Sequence, residues 1–145
     1  MTATLPRAVD TRSRWQRLKV PTLLAGLLLA VSVLLHLRDP HRSGSWGYCP
    51  WLFLTGTYCP GCGGLRAVND LTHGDLAAAA SSNLLFVTSL PLVVGWWSRS
   101  MLDRWRGVTR AADARRVVAL CILFGAVAIT FAVVRNIGFG SWLAP

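Results

Sequence analysis

The chain has 145 residues, which suits one domain, and 53% of them are hydrophobic while only 14% are charged. Its formal net charge is +9. The basic residues flank long apolar runs and are not interleaved with stacking aromatic residues, which argues against a nucleic-acid partner. A basic protein face beside anionic lipid headgroups explains this charge better.

Three long apolar runs predict three transmembrane helices. They cover residues 20–37, 76–97 and 117–134, and each is long enough to cross the hydrocarbon core as a helix. No small-x-small cleavage pattern follows the first run, so we interpret it as an uncleaved anchor. Pro91 is expected to kink the second helix.

The positions of lysine and arginine predict the orientation. Of these 15 residues, eleven lie before the first span or between the second and third, and four lie in the other segments. By the positive-inside rule, residues 1–19 form a basic cytoplasmic segment, and residues 20–145 form a single membrane domain. The expected location is a bacterial cell membrane, with residues 46–75 outside the cytoplasm.

Residues 46–75 do not have the composition of an ordinary polar loop. Their first half is rich in tryptophan, tyrosine, phenylalanine and leucine, which predicts a segment at the outer leaflet. A short helix is predicted over residues 65–72, because Leu65, Val68 and Leu71 share one face. The predicted fold class is therefore an all-α membrane protein with three transmembrane helices and a short helix in an outer-leaflet cysteine-rich segment.

Three of the four cysteines lie close together in this segment, at Cys49, Cys59 and Cys62. Cys59 and Cys62 flank a Pro-Gly turn, which aims two sulfurs at one point as in zinc and iron knuckles. With Cys49 and His73 they form a candidate four-ligand set for zinc or iron. The alternatives are a disulfide, which oxidising conditions outside the cytoplasm favour, and a redox couple of Cys59 and Cys62.

His36 and His41 are further candidates for the fourth ligand position. Cys121 stands alone within the third span, and we interpret it as a small packing residue.

The position of Cys59 and Cys62 just before the short helix predicts a lowered thiol pKa. A helix N-terminus stabilises a thiolate, and Arg66 lies one turn further on. Arg66 is also spaced to pair with Asp70 at i, i+4.

Polar residues at the start of the second span have predicted structural roles. Asp75 is its predicted N-cap. Asn83 lies about two turns inside the span, where an amide needs a hydrogen-bond partner. The candidates are Arg66, the cysteine segment, or another helix through a bond used only for packing.

A series of short motifs runs through the middle of the chain. Its parts are Cys49-Pro50, Thr55-Gly56, Cys59-Pro60-Gly61-Cys62-Gly63, Arg66, His73-Gly74-Asp75 and Asn83. This series resembles the bacterial membrane family catalogued as domain of unknown function 2752. The chain departs from the family pattern at Leu65, where that pattern has threonine. The resemblance implies a small integral membrane protein with the motif as its shared site, and it implies no specific activity.

Two functions remain open from the sequence. One is a non-enzymatic membrane component whose cysteine segment binds a metal or is clamped by a disulfide. The other is a membrane thiol–disulfide oxidoreductase or a metal-handling protein that uses Cys59 and Cys62. The expected partners are the lipid bilayer and either a larger membrane complex or further copies of the chain.

Overall fold

The computed structural model of the protein describes residues 7–42, 44–110 and 113–144. Its helices are α1 (Arg14–Leu37), α2 (Pro50–Thr55), α3 (Gly64–Thr72), α4 (Leu76–Arg106) and α5 (Ala114–Asn136), followed by a 3₁₀ helix (Gly138–Leu143). By length and composition, α1, α4 and α5 could each cross a membrane. The prediction of an all-α membrane protein with three spans is confirmed. Residues 1–6 of the predicted basic segment lie outside the described residues.

The three long helices begin at capping side chains. Ser13 and Gln16 form a capping box before α1, in which each side chain accepts a hydrogen bond from the other's backbone N–H. The Asp75 carboxylate accepts from the N–H of Ala78 at 2.8 Å, which confirms it as the N-cap of α4. The Asp113 carboxylate caps α5 in the same way. These caps lie outside the apolar runs, which explains why α1 and α5 begin earlier than the predicted spans.

The backbone of α4 leaves helical geometry at Asn83 rather than at Pro91. Asn83 has φ −159° and ψ 94°. Its side-chain oxygen accepts from the N–H of Phe86 at 2.9 Å, so Asn83 acts as the N-cap of the longer, second part of α4. The break is therefore stabilised by the asparagine side chain itself.

Two three-residue strands add a feature that hydropathy did not predict. β1 (Arg7–Val9) pairs antiparallel with β2 (Val108–Arg110). The pairing joins the chain before α1 to the connection between α4 and α5. It therefore places these two basic segments at the same end of the helices.

The buried core lies at the other end, where α1 and α5 end and α4 begins. α3 packs there against both α1 and α4. The buried residues of this core include Leu35, Cys62, Ala67, Asn69, Asp70, Ala79, Ser82, Asn83, Arg135 and Leu143. Most apolar side chains along the three long helices are exposed on the protein's surface, as suits a lipid-facing surface. Specific packing is thus concentrated beside the cysteine segment.

Hydrogen bonds to Asp70 and Asn69 fix α3 in this core. One Asp70 carboxylate oxygen lies 2.8 Å from His41 Nε2, and the other accepts from the Ser82 hydroxyl at 2.8 Å. The Asn69 amide donates to the Leu35 carbonyl at 2.7 Å. These bonds connect α3 to α4, to the end of α1 and to the loop that follows α1.

Alanine at Asp70 is expected to lower the thermal unfolding midpoint in detergent, because it leaves the buried Ser82 hydroxyl without its acceptor, at a cost of about 1–3 kcal/mol. Alanine at Ser82 should destabilise less. The double variant should show a coupling of about 0.5 kcal/mol or more, measured as the departure from additivity. Additive effects would show that the two side chains do not interact.

Candidate metal centre

Three cysteine sulfurs converge at the base of the loop between α1 and α3. Cys49 is the N-cap of α2, and Cys59 and Cys62 lie in the turn before α3. The Sγ–Sγ distances are 3.1 Å for Cys59–Cys62, 3.5 Å for Cys49–Cys62 and 3.8 Å for Cys49–Cys59. A disulfide needs about 2.05 Å. No pair in this cluster is at disulfide distance, and all three residues are free cysteines.

The sulfur geometry fits a thiolate metal site. Thiolates at about 2.3 Å from a tetrahedral zinc ion lie about 3.8 Å from one another. The three ligand atoms all lie within 4.8 Å of one another, so small side-chain shifts would let them share one ion. Three thiolates are the ligand set expected for a soft or borderline metal ion such as zinc or iron.

Two left-handed glycines shape the loop around the sulfurs. Gly56 is the C-cap of α2 with φ 69°, and Gly63 is the N-cap of α3 with φ 83°. A side chain at either position would be strained, which accounts for the residue type. Thr55, also in the motif, donates to the Trp51 carbonyl at 2.7 Å and accepts from the Thr57 N–H at 3.2 Å. Its hydroxyl thereby fixes the end of α2.

Asn83 holds the turn between Cys59 and Cys62. Its amide nitrogen donates to the carbonyl of Pro60 at 2.9 Å and to that of Cys62 at 3.0 Å. Of the three predicted partners of Asn83, which were Arg66, the cysteine segment and another helix, the structure shows the cysteine segment. The break in α4 orients this amide toward the loop.

Arg135, near the end of α5, binds the same turn from the other side. Its Nη1 donates to the carbonyls of Cys59 and Cys62, each at 3.1 Å, and its Nη2 donates to the Leu143 carbonyl at 2.9 Å. The side chain is only 1% exposed and lies over the ring of Phe131. From the sequence, Arg135 is only one of the four basic residues predicted to lie on the outer side of the membrane. Its position as a lone cation in the last turn of an apolar helix could have indicated a buried, functional role, because such residues pair with other polar groups.

Asn136 adds a second bond pair from α5 to the loop. Its side-chain oxygen accepts from the N–H of Tyr58 at 2.8 Å, and its amide donates to the carbonyl of Tyr58 at 2.8 Å. Arg135 and Asn136 together attach the end of α5 to the residues around Cys59.

The pKa values of Cys49 and Cys62 differ in a way that helix position alone did not predict. Burial is the main cause that raises the pKa of Cys62 to about 12, so the expectation of a lowered pKa at this position is wrong. The pKa of Cys49 is lowered, chiefly by the nearby backbone N–H of Leu52 in α2. Cys49 is therefore the more acidic of these two thiols.

His73 does not join the sulfur cluster. It lies at the far end of α3, where its Nδ1 is 2.9 Å from the Asn69 carbonyl and its ring stacks on His36 with centroids 4.2 Å apart. His41, another candidate, contacts Asp70 instead. Within the ranges that the structure describes, only the three cysteines form a group with metal-ligand geometry.

The cysteine cluster borders a cleft of about 430 Å³. Arg42, Arg66 and the aromatic residues Trp46, Tyr48 and Tyr58 also line it. The expected Arg66–Asp70 pair is absent from the described residues, because both Asp70 oxygens bind other side chains. A ligand in the cleft could thus reach both the thiols and the two arginines.

Aspartate at Asn83 is expected to loosen the cysteine turn. It keeps the acceptor for the Phe86 N–H but loses both donors to the loop carbonyls. Loss of about 1–3 kcal/mol should speed alkylation of Cys62 by about fivefold or more in metal-free protein. Thr88→Ala is the matched control, since this hydroxyl bonds only its own helix backbone. Equal alkylation rates in wild type and Asn83→Asp would contradict the anchoring role.

Comparison with known proteins agrees with the motif pattern. No curated protein and no solved structure matches the chain. Residues 49–97 match the model of a family described as a protein of unknown function, DUF2752. The matched range begins at Cys49 and includes Cys59, Cys62 and Asn83. We therefore identify residues 49–97 as a DUF2752 region, which confirms the resemblance over the segment that contains the sulfur cluster.

Proposed function

We propose that the chain is a metal-handling membrane protein that binds zinc or iron through Cys49, Cys59 and Cys62. The convergence of three free thiols within 4.8 Å of one another carries this proposal. Three apolar helices fit a multi-pass membrane protein. The cysteine segment would then hold the metal ion beside the ends of α1 and α5.

The number of protein ligands favours an open metal site. Structural zinc sites are closed by four protein ligands, whereas sites that exchange or activate a ligand keep one position free. His73 is engaged at the other end of α3, and the three cysteines border the cleft. An ion bound there could take a fourth ligand from the cleft, which suits transfer of a metal ion or chemistry on it.

We further propose that the cysteine segment faces the exterior of a bacterial cell membrane and that the N-terminus is cytoplasmic. The arginine distribution supports this orientation. Pairing of β1 with β2 also supports it, since the two arginine-rich segments then share one end of the helices. The sulfur cluster belongs to the opposite end.

Thiol–disulfide exchange is the second candidate function. Its support is the 3.1 Å separation of Cys59 and Cys62 and the lowered pKa of nearby Cys49. A thiolate of the cluster would attack a substrate disulfide and release one substrate thiolate. A second cysteine would then attack the mixed disulfide, form an internal disulfide and release the other substrate thiol.

Protein purified without chelators should contain about one metal ion per chain. Serine at Cys49, Cys59 or Cys62 should each weaken metal binding by about 100-fold or more, because each removes a thiolate ligand. Metal analysis and competition with a chromogenic chelator provide the measurement.

Two control variants sharpen this experiment. Cys121→Ser should keep full metal binding, because this thiol lies in α5 outside the cluster. His73→Ala should also keep full metal binding. A large loss of metal binding in this variant would show that His73 is a fourth ligand, as the sequence predicted. Absence of metal in wild type, with two thiols released by reductant, would favour the redox candidate instead.

An impermeant thiol reagent should test the orientation in whole cells. In metal-stripped, reduced Cys121→Ser protein, the cluster cysteines should be labelled before lysis. The control is Thr11→Cys in a chain without native cysteines, which should be labelled only after lysis. The reverse pattern would refute the proposed orientation.

A further inference from the structure

We propose that the cleft beside the cysteines binds the phosphate group of a phospholipid headgroup between Arg42 and Arg66. This inference deepens the proposed function and rests on it for the charge balance given below. It assigns a ligand class to the cleft that also borders the open side of the cysteine cluster.

Arg42 and Arg66 are available for an external anion. Within residues 7–42, 44–110 and 113–144, neither guanidinium forms an ion pair or a hydrogen bond; Asp70, the expected partner of Arg66, binds His41 and Ser82. Guanidinium groups recognise phosphate through paired charge-assisted hydrogen bonds. Two such groups on one cleft favour a phosphate over a neutral ligand.

The start of α3 adds to the attraction. Gly63 is its N-cap and provides no side-chain hydrogen bond. The first-turn residues Gly64 and Leu65 line the cleft. The N–H of Gly64 already donates to the Gly61 carbonyl at 3.0 Å, so the contribution of this terminus is the helix dipole, which favours an anion.

Charge balance leaves both cleft arginines uncompensated. A divalent ion with three thiolates has one negative charge. Buried Arg135, which donates to the carbonyls of Cys59 and Cys62, supplies one positive charge beside it. The charges of Arg42 and Arg66 are then in excess, and the single negative charge of a lipid phosphodiester would offset one of them.

The surroundings of the cleft favour a lipid as the source of this phosphate. α2 exposes Trp51, Phe53 and Leu54, with exposed fractions of 57%, 82% and 80%. Tyr48, which lines the cleft, is 79% exposed. Exposed aromatic and apolar side chains of this kind insert at the headgroup boundary, where lipid phosphates are concentrated.

Native mass spectrometry of the full-length protein can test the inference. The protein is titrated with phosphatidylglycerol or with phosphatidylcholine, and retained lipid is counted. We expect one phosphatidylglycerol to be retained preferentially, because it lacks the positive choline group. Arg42→Gln and Arg66→Gln should each weaken its retention by about tenfold. Arg99→Gln, near the other end of α4, is the control for general surface charge.

Competition with soluble glycerol 1-phosphate distinguishes the two sources of phosphate. Displacement at low millimolar concentration would show that the site recognises the phosphate group alone, and resistance would show that the lipid is required. Unchanged retention in Arg42→Gln and Arg66→Gln, or an equal loss in Arg99→Gln, would overturn the inference.

Metal content measured in the same samples separates this inference from the proposed function. Arginine-dependent lipid retention without metal would refute the metal site and uphold the phosphate site. One metal ion per chain without arginine-dependent lipid retention would uphold the metal site and refute the phosphate site.

Discussion

The structure depends on one requirement, which is that the carbonyl groups of the cysteine turn need hydrogen-bond donors. Cys59, Pro60 and Cys62 lie outside any helix, and lipid provides no donor for their carbonyls. Asn83 and Arg135 supply the donors from α4 and α5. An irregular backbone can therefore lie among apolar helix ends, because its polar groups are satisfied by buried side chains rather than by water.

The same requirement explains several features of the helices. α4 breaks at Asn83, which directs the amide to the loop while its oxygen caps the following turn. α5 is attached through the polar pair at its end, where Arg135 and Asn136 meet the loop. Among the described residues, the buried core at this end includes the polar side chains Asn69, Asp70, Ser82, Asn83 and Arg135. The long helices consequently present most of their apolar surface outward. The buried hydrogen bonds that fix the structure lie around the cysteine segment.

Local signals predicted more of this protein than long-range contacts did. Apolar runs located the spans, Asp75 was recognisable as a cap, and Asn83 as an amide that required a partner. Arg135 was missed, because its partners lie 73 and 76 positions earlier in the chain and neither spacing nor composition reports such a contact. The raised pKa of Cys62 was missed for the same reason, since its main cause is burial by the fold. His73 seemed near the cysteines in sequence, but α3 separates them.

The way the turn is held also bears on what a bound metal would contribute. In small zinc domains the metal supplies most of the folding free energy, since few other contacts fix the ligands. Here the backbone between Cys59 and Cys62 is fixed by side chains from two other helices. Gly56 caps the end of α2, and Gly63 caps the start of α3. Metal–sulfur bonds would therefore add to a turn that protein groups already position. Such a site can release its ion without losing its scaffold, which is the property that distinguishes metal handling from a structural zinc knuckle.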